Sequence, residues 1–263
     1  MKASEYPRFF EFETTHWWFR GLHAMLLQTL GGLGMGADAR ILDAGCGTGG
    51  LMAGLRDKTD GTVFGFDLSA EAAAFWPERR LSTAWRASVN AIPLASDCMD
   101  AVFCINVFEC DEVDPAAAYR ELWRVTKPGG YLILSMPAHH WLGNEVHDAA
   151  IDGSRRFVRK ELAAMVETRP VEIQRMTHLF PFFLPAIAAW RFVAALRPGE
   201  VEAHTDLSRL PKWINELLFL VTQAERSLLK HMDFSFGSSL LCVARKAGGV
   251  HRGQSPLSHD HAV

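Results

Sequence analysis

The five cysteines, Cys46, Cys98, Cys104, Cys110 and Cys242, include no CxxC pair, and their number is odd. That argues against a disulfide framework and a cysteine-based zinc site, and for a reducing cytoplasm as the compartment. Long runs of one charge sign are also missing. Lys and Arg number 27 against 30 Asp and Glu, a formal net charge of -3. Without a clustered positive face, a nucleic-acid partner is not expected. The N-terminal stretch "MKASEYPRFFEFE" is acidic and aromatic and lacks the apolar core of a secretion signal. No clean membrane span is present either. The nearest candidate, Leu179 to Leu196, is broken by Pro181, Pro185 and Arg191. It reads as a core-packed or pocket-lining helix, with a membrane-touching, lipid-facing surface as the alternative.

What is present is alternation. A chain of 263 residues with 49% hydrophobic content is long enough for one large α/β domain. Strand-like runs, "ARILDAG", "TVFGFDLS", "STAWRAS", "DAVFCINVFE" and "GYLILSMP", alternate with helical patterns, "GGLMAGLRDK", "AEAAAFW" and "PAAAYRELWRVT". This βαβ rhythm predicts a parallel sheet with helices on both faces. Residues 5–36 read as helical, and "KPGG" at 127–130 as a turn ending a helix. Residues 1–246 are expected to form one domain, with 138–158 and 179–231 as cap or insertions and 247–263 as a disordered tail. The aromatics of the cap stretches, Trp141, Phe180, Phe182, Phe183 and Trp190, are expected to be buried, either lining an acceptor pocket, packing on helix 211–231 or forming a dimer seam.

The stretch "ILDAGCGTGG" puts glycines directly after the first strand. There they admit a ligand close to backbone N–H groups. Asp67, at the end of the second strand, is placed to accept both hydroxyls of a ribose. Gly45, Gly47 and Gly50 also fit the GxGxxG spacing of nicotinamide enzymes, which alone is weak. Asp43 argues against that reading. A carboxylate inside the pocket would oppose a pyrophosphate and suit a ligand with a positively charged amino acid end.

Four motifs then carry a resemblance. "ILDAGCGTGG", "VFGFDLS", "ASVNAIPLASDCMDAVFCINVFE" and "AYRELWRVTKPGGYLILSMP" occur in the order found in class I S-adenosylmethionine (SAM) dependent methyltransferases. "FEFETTHWWFRG" and "RRFVRKELAAMV" resemble the flanks of a bacterial subgroup acting on small molecules. The resemblance implies a Rossmann-like, doubly wound, mostly parallel seven-stranded sheet with an antiparallel last strand and a helical cap. It implies SAM as cofactor. Gly45, Cys46 and Gly47 would line its methionine end, with Asp43 near the amino group and Asp67 on the ribose. Leu68 would be a wall residue. Ser88 stands where the family usually has an acidic residue, Val89 would pack on adenine, and Asn106 and Val107 would floor the site near the sulfonium. Arg20 is a candidate for the SAM carboxylate, and Trp17, Trp18 and Phe19 for either a packed helix or a lid.

Many members carry a histidine after the fourth-strand glutamate, where this chain has Cys110. The loop after the fifth strand supplies other bases: His139, His140, Glu145, His147 and Asp148. His147 beside Asp148 is the preferred base for an acceptor that must lose a proton. No ligand spacing suggests a metal. Arg155 and Arg156 read either as binders of an acidic substrate group or as a solvated helix start. The expected activity is methyl transfer to a small hydrophobic or aromatic acceptor, which includes a lipid-linked one. Aminocarboxypropyl transfer, nicotinamide-dependent oxidoreduction and a catalytically silent SAM-binding partner stand as alternatives, and a homodimer is compatible with the sequence.

Overall fold

A computed structural model describes residues 3–143, 148, 152–195 and 209–248, with 190–195 as backbone only. Seven strands form one sheet in the order β3-β2-β1-β4-β5-β7-β6. The first half supplies β1 (Arg40–Ala44), β2 (Thr62–Asp67), β3 (Ala84–Arg86) and β4 (Met99–Ile105). The rest come from β5 (Thr126–Pro137), β6 (Val171–Leu179) and β7 (Ser239–Lys246). Strands β3, β2, β1, β4 and β5 run parallel, and β7 inserts antiparallel between β5 and β6. The central strands are apolar on both sides because helices cover both faces. In β1, Ile41 turns to one core layer and Leu42 and Ala44 to the other.

Helices α1 (Tyr6–Thr15), α2 (Trp17–Gly32), α3 (Gly50–Arg56) and α4 (Ala70–Ala73) come from the first part of the chain. They are followed by α5 (Pro115–Val125), α6 (Arg159–Val166), α7 (Leu184–Ala195) and α8 (Lys212–Leu228). The order of strands reverses at β1, which has β2 on one side and β4 on the other. The crevice beyond its carboxyl end is therefore where a ligand belongs.

Two local readings are refined. The helical stretch 5–36 is two helices, because His16 adopts an extended conformation (φ -81°, ψ 135°) and its ring accepts the Trp18 N–H. The "KPGG" turn is absorbed into β5. A register shift between Met99 and Ala101 accommodates it, Gly129 takes φ +79°, and a Cβ on Gly130 would sit 2.9 Å from the Asp100 carbonyl.

The apolar second half wraps the N-terminal helices. Phe180 stacks on Trp18 with centroids 5.7 Å apart, and Phe183 lies 4.4 Å from Trp17. Asn215 of α8 accepts from Trp17 N–H and donates to the Thr15 carbonyl, both at 2.9 Å. The expectation of uniform aromatic burial fails at two positions. Trp141 is 60% exposed and Phe182 50% exposed; among the described residues Trp141 stacks on His139 and Phe182 meets Phe234. The Trp190 side chain and residues 249–263 of the expected tail lie outside the described residues. Among the described residues no helix is long and apolar enough to cross a membrane.

Helices α2 and α8 meet at Gly21, where an added Cβ would fall 2.8 Å from Thr222. Gly21→Ala should therefore destabilise the protein by about 1–3 kcal/mol through overpacking. Thr222→Ala in the same chain should return only part of it, because the Thr222 Cβ, itself 2.8 Å away, remains. Denaturant melts of the two single variants and the double variant check this; equal, additive losses would mean that the helices do not meet there.

Candidate functional site

The loop after β1 turns through three glycines in the left-handed region, Gly45 (φ +79°), Gly47 (φ +53°) and Gly49 (φ +89°). Side-chain-bearing residues seldom take such angles. The Phe66 carbonyl of β2 accepts both Gly45 N–H and Cys46 N–H at 2.8 Å. A Cβ on Gly45 would run into Val107, and one on Gly49 into Leu81. Glycine here is thus demanded by packing as well as by angle. Asp67 at the end of β2 accepts Gly47 N–H and Ser69 N–H, each at 2.9 Å on a separate oxygen. Each oxygen keeps a further lone pair for a ligand hydroxyl.

The charge around this loop is one-sided. Asp43 is buried, and its Oδ2 has no hydrogen-bond partner. Burial, and then the nearby Glu13 and Asp67, push its carboxyl up to about 8. Asp67 is raised by burial as well, against the lowering effect of its Ser69 and Gly47 N–H donors. Glu13 of α1 is raised to about 7, mainly by burial, despite bonds to Thr48, Arg79 and Gly50. Three carboxyl groups thus crowd one loop with Arg79 against them. A phosphate would meet repulsion there; a ligand with an ammonium group would satisfy the open oxygen of Asp43.

The remaining predicted cofactor residues are placed as follows. Cys46 is buried, and burial holds its thiol well above its ordinary pKa, so it is an inert packing group. Asn106, at φ +54°, donates its N–H to the Ser135 carbonyl at 2.8 Å, and Val107 packs on Gly45. Leu68 is 50% exposed. Ser88 Oγ accepts from Asn90 N–H at 3.2 Å, and Val89 is buried against the core. Arg20 goes elsewhere: it forms a two-bond ion pair with Glu216 of α8 at 2.6 and 3.2 Å and stacks over Phe219. That pairing takes up its guanidinium on the α2–α8 face, and it is not among the groups that touch the glycine loop.

Of the proposed bases, His147 and its neighbour Glu145 lie outside the described residues. Asp148 is ion-paired with the buried Arg156, so this arginine is no solvated helix start. Arg155 donates to the carbonyls of Phe108, Cys110 and Asp111, which fastens its loop to the one after β4. His140 is exposed and paired with Glu161 at 3.0 Å. His139 differs. It stands just beyond β5 at φ +63°, stacked on His178, and its Nε2 is buried without a partner. No group of three or more potential metal ligands occurs among the described residues.

Sequence reasoning missed Tyr6, Glu13 and Arg79. Tyr6 lies close to Ser69 and Asp67. Arg79 donates to the carbonyls of Thr48 and Phe10 and to Glu13. The available signal was a lone glutamate in an aromatic run, with Tyr6, Phe10 and Glu13 at helical spacing on one face.

The sheet order, the antiparallel β7 and the glycine loop at the strand reversal define a Rossmann-like cofactor-binding fold of the methyltransferase kind. Residues 42–134 match the family model described as a methyltransferase domain. The chain is 34% identical over 139 residues to a malonyl-[acyl-carrier protein] O-methyltransferase of Enterobacter lignolyticus (strain SCF1), covering 44% of this chain and 54% of that one. It is 31% identical over 134 residues to a ubiquinone biosynthesis O-methyltransferase of Paracidovorax citrulli (strain AAC00-1), covering 45% and 56%. The matched part thus spans about half the length of these curated relatives. Among solved structures, geranyl diphosphate C-methyltransferase from Streptomyces coelicolor A3(2) superposes with a TM-score of 0.57 at 19% identity, over 84% of this chain and 75% of that one. The [4+2]-cyclase SpnF superposes at 0.55 with 20% identity, over 86% and 81%. At such identities the likeness is one of fold, and the cyclase illustrates that a fold does not settle a reaction.

Asp67→Ala should weaken binding of S-adenosylhomocysteine by about 1.5–3 kcal/mol, the value of hydrogen bonds to a charged acceptor. Calorimetry on the variant, with circular dichroism to confirm the fold, measures it. Unchanged affinity would reduce Asp67 to a cap of the turn.

Proposed function

We propose that the chain transfers the methyl group of SAM to an oxygen of a small hydrophobic or aromatic acceptor. One observation carries the cofactor side: the buried, unpartnered Asp43 oxygen in a loop rich in carboxyl groups. Asp43 would take the ammonium of the methionine end, and Asp67 the ribose hydroxyls. Val107 and Asn106 would floor the cavity. The bound cofactor supplies an already activated methyl on a sulfonium, so the carbon–oxygen bond forms in line as the carbon–sulfur bond breaks. The protein's part is alignment and exclusion of water. Oxygen is favoured as the attacking atom because both curated relatives are named O-methyltransferases.

A carboxylate acceptor needs no base, whereas a phenol must lose a proton. His139 supports the second case, since its unpartnered Nε2 stands at the carboxyl end of β5, on the acceptor side expected for this fold. Phe180 and Phe183, with Trp17 and Trp18, form an aromatic cluster that supports an apolar acceptor. Residues 138–158 and 179–210, of which 144–147, 149–151 and 196–208 lie outside the described residues, are proposed as the cap of its pocket.

The decisive experiment incubates the protein with SAM and separate malonyl-thioester and catechol acceptors. Stoichiometric S-adenosylhomocysteine and methylated product support the reading. Methylthioadenosine in place of S-adenosylhomocysteine would indicate aminocarboxypropyl transfer, and a thermal shift with NAD alone would favour the oxidoreductase. Asp43 adds a pH signature. Its folded-state carboxyl titrates near 8, so at pH 7 it is mostly protonated in the free protein. A cationic ligand favours the ionised form, so binding should release about one proton at pH 7. Affinity should rise with pH from 6 to 8 and level off above about 9, once Asp43 is already ionised. Calorimetry in buffers of different ionisation enthalpy reads this directly, and a buffer-independent enthalpy would remove Asp43 from the ammonium site.

A further inference from the structure

Helix α1 lies outside the segment that matches the methyltransferase domain, yet it is bonded to the glycine loop. Tyr6, Phe10 and Glu13 share one face of it. Tyr6 reaches Ser69 beside Asp67. Phe10 stacks on Phe75 at 4.8 Å and lies under Arg79 at 4.3 Å. Glu13 Oε2 accepts from Thr48 Oγ1, from Gly50 N–H at 3.0 Å and from Arg79 Nη2 at 2.9 Å. Arg79 in turn donates to the Thr48 carbonyl at 3.0 Å, and Trp76 donates to the Gly47 carbonyl at 2.9 Å. The loop is therefore held from β2 on one side and from α1 on the other. Cβ atoms placed on Gly50 and Gly49 would meet Glu13 and Leu81, so the two holds leave little slack.

We propose that Glu13 is a positioning residue for cofactor binding: through Thr48, Gly50 and Arg79 it docks α1 on the glycine loop and fixes the loop's far half in its ligand-ready shape. It makes no contact with the reacting atoms. A carboxylate with roughly nine-tenths of its side chain buried, in a cluster already rich in acids, is costly to place, and here three donors offset that cost. Its function lies in what those donors belong to. Two are on the loop itself, and the third, Arg79, also holds the loop's Thr48 carbonyl. Without Glu13, the loop keeps its bonds to Phe66 and Asp67 but loses those at Thr48 and Gly50. Cofactor then leaves faster, because the loop around it opens more often.

The inference rests on the SAM reading, so the test has an arm that does not depend on it. In the free protein, Glu13→Gln should raise amide hydrogen exchange across residues 47–52 by about tenfold or more, the loss expected of a charge-assisted bond. Exchange in β5 should stay unchanged. In stopped-flow binding, the same variant should release S-adenosylhomocysteine about tenfold faster, with a much smaller change in association rate. Thr48→Val removes one partner without touching α1, and should give a smaller effect in the same direction that is not additive with Glu13→Gln. Wild-type exchange and release rates in both variants would overturn the proposal. Should the Gln variant fail to fold, Thr48→Val alone decides in the same way. If the wild-type protein binds no S-adenosylhomocysteine, the SAM reading falls, while the exchange arm still decides whether Glu13 orders the loop.

Discussion

The Phe66 carbonyl takes two adjacent N–H donors, Gly45 and Cys46, at 2.8 Å, and the site depends on that clasp. It bends the chain away from β1 the moment the strand ends. The bend uses angles that suit glycine, and it brings the loop so close to Val107 and Leu81 that no larger side chain fits at Gly45 or Gly49. Asp67 accepts the N–H of the next residue, Gly47, so β2 supplies both a backbone and a side-chain anchor. Its strand position, beside β1 in register from Arg40–Thr62 to Ala44–Phe66, is what makes both bonds reachable.

The electrostatics follow from that geometry. Packing the loop tightly buries Asp43 and Glu13 within the field of Asp67, and the scarcity of cations leaves the carboxyl groups raised above their ordinary range. Such a cluster stores an unmet demand for positive charge. It separates this glycine loop from dinucleotide sites with the same spacing, where the loop must receive a pyrophosphate.

The second half of the chain serves the first. Helix α8 ties α1 and α2 together through Asn215, and Gly21 lets it approach closely. Phe180 and Phe183 pack on Trp17 and Trp18, so the segment after β6 is anchored on α2. Arg155 fastens the loop after β5 to the loop after β4, and Arg156 pairs with Asp148 within the first of these loops. Both arginines are thus engaged in ordering the edge loops, one between two loops and one within a loop.

The alternating apolar runs were enough to predict the parallel sheet, and the glycines and Asp67 were enough to predict the tight loop after β1 beside the end of β2. These are local signals: a strand's burial on both faces, a turn's need for positive φ and a fixed offset between two strands are written within a few residues. Arg20 and Glu13 show where such signals stop. Both are charged residues in an aromatic N-terminal stretch, and nothing near them in sequence tells them apart. Packing of α1 on the glycine loop and of α2 on α8 sends Glu13 to Thr48 and Gly50 and Arg20 to Glu216. The same holds for His139 and His140, adjacent in sequence, of which one has a buried open nitrogen and the other a surface ion pair. The chain's own order encodes the strands, turns and cofactor motif because those are short-range requirements. The partners of its charged side chains were decided only when distant helices met, because burial and a bonding neighbour come from residues up to about two hundred positions away.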